Sequence, residues 1–310
     1  MKIFRGLTEF KETKKSIITV GTFDGVHIGH QKIIKKLNSL KKEGENSVLL
    51  TFYPHPRMVL QDESKIKLLN TLEEKMELLN KAGLDCLVIK PFTKQFSRLT
   101  ALEFTRDILV NNLNLKKLVI GYDHRFGKNR EGDFEQLEEY GASFNFKVKE
   151  ISAKDIKDVT VSSTKIRIAL QEGNIETANK YLGYNYILTG KVVRGQGLGN
   201  KWNYPTINIQ IPNPYKLIPK NGVYIVSAQL RESQFFGIMN IGVRPTVNGK
   251  SKTIEVHLLD FKADVYGDDI KVCMIQRLRD EQKFPSIDDL VTQIRKDEKL
   301  ARKFIKTIKL

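Results

Sequence analysis

The sequence changes rhythm once, near residue 183, and that change limits the fold more than anything else in it. Before that point strand-like and helix-like stretches alternate. "SIITVG" (16–21) reads as a buried strand. "HQKIIKKLNSLKKEG" (30–44) reads as an amphipathic helix ending near Gly44, with Ile33, Ile34, Leu37 and Leu40 on its buried stripe. "SVLLTF" (47–52) and "DCLVIKPF" (85–92) are further strands. Between them "TLEEKMELLNKAG" (71–83) carries a capping box, Thr71 with Glu74, and a closing Gly83. "TALEFTRDILVNNL" (100–113) repeats the box with Thr100 and Glu103, and the helix "EQLEEYG" (135–141) separates the strands "KKLVIGYD" and "FNFKVKEI". Strands spaced by helices of this length predict a parallel sheet covered on both faces.

Two short helices, "SSTKIRIALQEG" (162–173) and "NIETANKYLG" (174–183), close this part. Six short strands then follow: "YILTGKVV", "TINIQI", "GVYIVSAQL", "FFGIMNIG", "TIEVHLLDF" and "IKVCMIQRL". A single helix, "SIDDLVTQIRKDEKLARKFIKTI", ends the pattern. That series predicts a small antiparallel barrel with a terminal helix. We place the domain boundary between Gly183 and Tyr184, giving domains 1–183 and 184–310.

Composition narrows the functional classes. A length of 310 residues suits two domains at about 150 residues each. No apolar run approaches the roughly 18 residues of a membrane span, so no membrane association is expected. The start, "MKIFRGLTEFKETKK", lacks a secretory pattern. Cys86 and Cys273 are far apart and have no metal-ligand spacing, which favours a reduced cytoplasmic compartment without structural zinc. The formal charge of +16 comes from lysines scattered over solvated helix faces. With no basic tail and no zinc finger, no nucleic-acid partner is expected. No residue pattern specifies an oligomeric state.

The stretch "GTFDGVHIGH" (21–30) links the first strand to the first helix, and it holds two of the chain's five histidines. Free N–H groups and the dipole at a helix start attract anions. His27 and His30 can face one point from a loop and a first helical turn, and paired imidazoles can stabilise charge developing on phosphate oxygens. Gly21, Gly25 and Gly29 let the backbone approach a ligand. The structural alternative is helix capping or core packing. The strand–glycine–helix context favours the ligand role.

"FDGVHIGH" resembles the signature of the HxGH nucleotidylyltransferases, which release pyrophosphate on transferring a nucleotidyl group. "TFYPHPRMVL" (51–60), "GYDHRFGKNREGD" (121–133) and "VSSTKIRIAL" (161–170) are similar to the other motifs of the FMN adenylyltransferase module in the bacterial bifunctional riboflavin kinase/FAD synthetase family. The resemblance implies a Rossmann-like nucleotidyltransferase domain. In it Gly21, Phe23, Asp24 and Gly25 belong to the nucleotide-binding turn, and His27 and His30 hold the ATP phosphates. Asp123, Arg125 and the stretch around His55 would border the flavin nucleotide. Ser162, Ser163, Thr164 and Arg167 would complete the phosphate site, since hydroxyls at a helix start plus a guanidinium one turn on form an anion fork. Plain N-capping by Ser162 or Ser163 is compatible with that role. Two positions depart from the common pattern: His124 stands where Phe is frequent, and Lys165 where Arg is frequent.

"GKVVRGQGLGNKWNYPTINI" (190–209) invites a dinucleotide-binding reading, but its G-x-G-x-G spacing runs into a strand, and no GK[ST] is present. A glycine-bearing loop followed by Pro205-Thr206-x-Asn208 resembles the riboflavin kinase module of the same family. The resemblance implies that the loop bearing Gly195 and Gly199, leading into Pro205, covers nucleotide phosphates, and that Thr206 and Asn208 help place Mg²⁺. In "TIEVHLLDF" the apolar Ile254, Val256 and Leu258 alternate with Thr253, Glu255 and His257. A glutamate at such a place is ordinarily just solvated. By resemblance Glu255 is the base for the ribityl 5′-hydroxyl, while "MNIGVRPTVNG" and "RLRDEQKF" line the flavin side. Asn200, Asn203 and Ile207 replace a usual arginine, glycine and alanine. The whole implies phosphorylation of riboflavin to FMN and adenylylation of FMN to FAD, with ATP, riboflavin and FMN as substrates. Alternatives are a protein retaining one activity, and a non-catalytic flavin or RNA binder. The base and the histidine pair argue against the latter.

Overall fold

Apolar runs on both faces of the strands build the first unit. The structure, a computed structural model, describes residues 1–61, 66–121, 125–128, 131–151, 161–195, 204–246 and 249–308, with backbone alone at 244–246 and 249–251. The chain divides into two compact units, Met1–Ser162 and Ser163–Leu310.

In the first unit, β1 (Lys2–Phe4), β2 (Lys15–Val20), β3 (Glu45–Phe52), β4 (Cys86–Lys90), β5 (Leu115–Gly121) and β6 (Lys147–Ile151) form one sheet in the order β1-β4-β3-β2-β5-β6. Every pair is parallel. Adjacent residues of one strand serve opposite faces. Ile17 packs with Leu37 of α1 (Ile28–Leu40), while Ile18 joins Leu109, Leu118 and Leu137 on the other side. Leu49 and Leu87 meet Leu72 and Leu79 of α3 (Leu72–Lys81). Phe104 and Leu109 come from the segment after α4 (Ala101–Glu103), and Leu137 from α5 (Phe134–Phe144). This is the doubly covered parallel sheet that the alternation predicts. Strand order reverses at β2, so the turn after β2 sits at the switch point where such sheets bind ligands.

Local signals hold in detail at both capping boxes. The Thr71 and Thr100 hydroxyls accept from the Glu74 and Glu103 N–H groups, and each glutamate accepts in return from its cap N–H. Four elements differ from expectation. α1 stops at Leu40, four residues early, because Lys41 turns extended and the Glu45 carboxylate accepts from the Lys42 N–H. After α4 the chain continues as a π-helix, Phe104–Asn112. A short helix, α2 (Pro56–Leu60), capped by His55, and the edge strand β1 carry no sequence pattern strong enough to announce them.

In the second unit, β7 (Tyr186–Val193), β8 (Ile207–Gln210), β9 (Gly222–Leu230), β10 (Ser233–Thr246), β11 (Gly249–Leu258) and β12 (Asp269–Arg279) close an antiparallel barrel in the order β10-β11-β8-β7-β12-β9. Tyr224, Met239, Ile241, Ile254 and Val256 are fully or almost fully buried and share one face by register. Val223, Ile225 and Ile238, on the opposite face, pack against Ala301 and Phe304 of α8 (Ile287–Ile305). Asp297 of α8 accepts from the Arg279 guanidinium at 2.8–3.1 Å and ties the helix to β12.

The division between units falls 21 residues before the expected boundary at 183/184. α6 (Ser163–Glu172) and α7 (Ile175–Leu182) belong to the barrel unit. The Asn179 amide donates to the Met274 carbonyl (2.9 Å) and its oxygen accepts from the Tyr186 N–H (2.8 Å), while Lys220 N–H donates to the Leu170 carbonyl (3.0 Å). Apolar periodicity reveals such a helix but not which core its stripe joins.

Candidate active sites

The turn after β2 is sharply folded. Phe23, Gly25 and Val26 take φ of +47°, +88° and +36°. A positive φ at a β-branched valine persists only where surrounding contacts hold it. Here the Asp24 carboxylate, 2% exposed, accepts from the N–H groups of Leu69 (3.0 Å) and Asn70 (3.3 Å). The Gln31 amide donates to the Val26 carbonyl at 2.9 Å.

His27 is the N-cap of α1, its Nδ1 accepting from the His30 N–H at 3.4 Å. The two rings stack at 3.7 Å and 17°, and Phe23 stacks on His30 at 4.4 Å and 21°. A Cβ at Gly29 would lie 3.1 Å from the His27 ring, and one at Gly21 3.0 Å from the Phe23 ring. These glycines are needed by the ring stack as much as by any ligand. Capping and the ligand role, alternatives at the level of sequence, coexist in one arrangement.

Burial pushes His27 down to about 4, against a smaller opposing pull from Asp24. His30 is held well below its usual range by burial, then by His27 and Lys75. Both imidazoles are therefore neutral at pH 7. The His30 Nδ1 is buried and unpartnered, the kind of polar atom that points to a missing ligand. Lys75 of α3 is a site residue that sequence reasoning missed. It is buried, and its Nζ donates to the Thr22 carbonyl at 2.8 Å. Its place in the run "EEKME" gives it the look of any solvated lysine.

The other expected residues of this unit lie on segments leaving the same sheet edge, because β3 and β5 flank β2 in parallel. His55 follows β3 and caps α2, accepting at Nδ1 from the Arg57 N–H (3.2 Å). Arg125 follows β5 and pairs with Asp133, the N-cap of α5, at 3.1 Å. Asp123 and His124 lie outside the described residues. Ser162 ends the first unit; Ser163, Thr164, Lys165 and Arg167 stand on the first two turns of α6 in the second, with Thr164 and Lys165 exposed.

In the barrel, register does the assembling. Glu255 pairs with Asn208 on β8 and with Asn240 on β10, so the three side chains form a polar row across one face. Glu255 is half-buried, while Ile254 and Val256 fill the opposite face. A Cβ at Gly195 would overlap the Asn208 carboxamide. Thr206, half-buried, enters β8 just after Pro205, whose carbonyl accepts from His257 Nδ1 at 2.8 Å. His257 is the second residue that sequence reasoning missed. Its alternation with Glu255 was the available signal, since both occupy one face. Gly199, Asn200 and Asn203 lie outside the described residues. Among the described residues no group of three or more His, Cys, Asp or Glu could hold a metal. Metal placement by Thr206 and Asn208 would have to rest on neutral oxygens and substrate phosphates, a donor set that suits a hard cation.

Comparison with known proteins finds a family for each part of the chain. A family model described as FAD synthetase matches residues 9–165, and one described as riboflavin kinase matches 182–305. The chain is 37% identical to a bifunctional riboflavin kinase/FMN adenylyltransferase of Buchnera aphidicola subsp. Schizaphis graminum, over 99% of this chain and 100% of that one. It is likewise 37% identical to a protein of that name from Escherichia coli strain K12, over 98% of each. A crystal structure from Streptococcus pneumoniae, described as a macrolide-efflux protein, superposes with a TM-score of 0.88 at 29% identity, covering 97% of this chain and 98% of that one. Among the described residues of this chain, no helix is long and apolar enough to cross a membrane.

Proposed function

The chain belongs to the bifunctional riboflavin kinase/FMN adenylyltransferase family, and on that premise we propose which residues carry each reaction. The C-terminal domain phosphorylates riboflavin to FMN, and the N-terminal domain adenylylates FMN to FAD. The two functional domains, 1–183 and 184–310, each use ATP in the cytoplasm, without nucleic-acid or membrane partners.

For adenylylation, the observation that carries the assignment is the stacked, neutral His27–His30 pair with an unpartnered buried Nδ1 at the start of α1. Neutral imidazoles and helix N–H groups offer hydrogen bonds to polyphosphate where charge grows as the FMN phosphate attacks and pyrophosphate leaves. Gly21, Phe23, Asp24 and Gly25 hold the turn that presents them. Asp123, Arg125 and His55 border FMN, and Ser162, Ser163, Thr164 and Arg167 grip nucleotide phosphate.

For the kinase, Glu255 accepts the ribityl 5′-hydroxyl proton as that oxygen attacks the γ-phosphate. Asn208 lies directly opposite it on β8. The segment with Gly195 and Gly199, leading into Pro205, encloses the ATP phosphates. Thr206 and Asn208 hold Mg²⁺, which when bound neutralises phosphate charge. The His257 bond to the Pro205 carbonyl fixes where Thr206 enters the strand. A positioned base contributes about 10²–10⁴ in rate. Glu255→Gln should therefore lower FMN formation by about that factor while FMN-to-FAD conversion persists. Undiminished FMN formation, or loss of both activities together, would refute the assignment.

A further inference from the structure

Thr206, which the kinase reading makes a metal ligand, lies outside the strand ladders that hold its neighbours. Pairing of β8 with β11 ends at Ile207 opposite Val256, and pairing with β7 ends at Asn208 opposite Val193. Pro205 has no N–H with which to extend either ladder. Side chains take over at this point. His257 Nδ1 donates to the Pro205 carbonyl at 2.8 Å, and its ring meets the Tyr204 ring edge-on at 5.2 Å and 63°. The Tyr204 hydroxyl donates to the Glu298 carboxylate of α8 at 3.3 Å. Glu298 is itself held, because its other oxygen accepts from Arg302 Nε at 2.8 Å. The Arg302 guanidinium in turn forks onto Asp260, three residues beyond His257, at 2.8 and 2.9 Å. The end of β11, the terminal helix and the approach to β8 thus form one closed ring of contacts.

We propose that Tyr204 is a positioning residue for riboflavin phosphorylation: gripped by His257 on one side and by Glu298 on the other, it fixes Pro205 and so sets the place of the Thr206 hydroxyl. Groups that orient a ligand govern a metal site nearly as strongly as the ligand itself. A hydroxyl donating to a carboxylate makes a stronger bond than one between neutral groups, which suits an anchor at the end of a ladder. The bond also gives α8 a part in the kinase site through Glu298. The inference rests on the kinase reading, in which Thr206 helps place Mg²⁺, and assigns no substrate contact to Tyr204.

Two variants cut the bond from its two sides. Tyr204→Phe removes the hydroxyl and keeps the ring, whereas Glu298→Ala removes the acceptor. In each, the KM for Mg-ATP in riboflavin phosphorylation should rise about tenfold. The KM for riboflavin and the rate of FMN-to-FAD conversion should stay at wild-type values. Tyr204→Phe should add nothing in a Glu298→Ala background, because the shared bond is already gone. Glu298→Gln, which still offers an oxygen to the hydroxyl, should keep the wild-type KM. As a reading independent of turnover, amide hydrogen exchange in a peptide spanning 204–210 should quicken in Tyr204→Phe. An unmoved KM for Mg-ATP, a riboflavin KM that rises in step with it, effects that add in the double variant, or unchanged exchange would each overturn the proposal. Should Tyr204→Phe fail to fold, Glu298→Ala decides by the same KM values and exchange. A Thr206→Val variant run alongside distinguishes two failures. Undiminished use of Mg-ATP in it ends the metal-placing reading and the role of Tyr204 with it, while its impairment beside an unaltered Tyr204→Phe ends only the role of Tyr204.

Discussion

His27 is neutral at pH 7 because it is 7% exposed, and that neutrality has a consequence for stability as well as for chemistry. Its folded-state value of about 4 lies below the ordinary 6.5. Between those values the unfolded chain binds a proton that the folded chain refuses, so stability falls as pH drops through that window. The linkage amounts to about 2 kcal/mol lost between pH 7 and pH 5 from His27 alone. Urea unfolding followed by a probe in the first unit should show that slope, and His27→Ala should flatten it. An identical slope in the variant would mean that burial of this imidazole is not the cause. The pairing of His27 with His30 was legible in sequence because glycine, helix start and spacing coincide. The burial of Lys75 was not, because it depends on a carbonyl 53 residues away in the chain.

At the scale of elements, stability hangs on short-range devices that the sequence states outright. The capping box at Thr71 satisfies N–H groups at the start of the helix that bears Lys75. Thr71→Ala should cost about 1 kcal/mol, read as a lower urea midpoint for the first unit, with riboflavin phosphorylation unchanged. An unchanged midpoint would contradict that role for the box. Both boxes, the six barrel strands and the long terminal helix follow from turn residues and periodicity. What escaped depends on partners distant in sequence. β1 is three residues long and finds its place only through β4. α6 and α7 show clear apolar stripes, yet the stripe cannot say which unit it serves. The row Asn208–Glu255–Asn240 shows the same limit from the other side. Alternation fixed the face of Glu255, but only register across three strands brings two amides to it.

For the whole molecule, two folds with unrelated topologies, a doubly covered parallel sheet and a closed antiparallel barrel, share one chain. The FAD synthetase and riboflavin kinase family models match these two parts in the same order along the chain. The net charge of +16 suits a protein that handles the anions ATP, FMN and pyrophosphate beside neutral riboflavin. The FMN made by the kinase is the substrate of the adenylyltransferase, so the order of products over time is the most direct test of the account. Purified protein is incubated with riboflavin and Mg-ATP, and the flavins are resolved by chromatography at successive times. FMN should rise first and then decline as FAD replaces it; riboflavin left unconverted, or FMN that accumulates without FAD, would contradict the account.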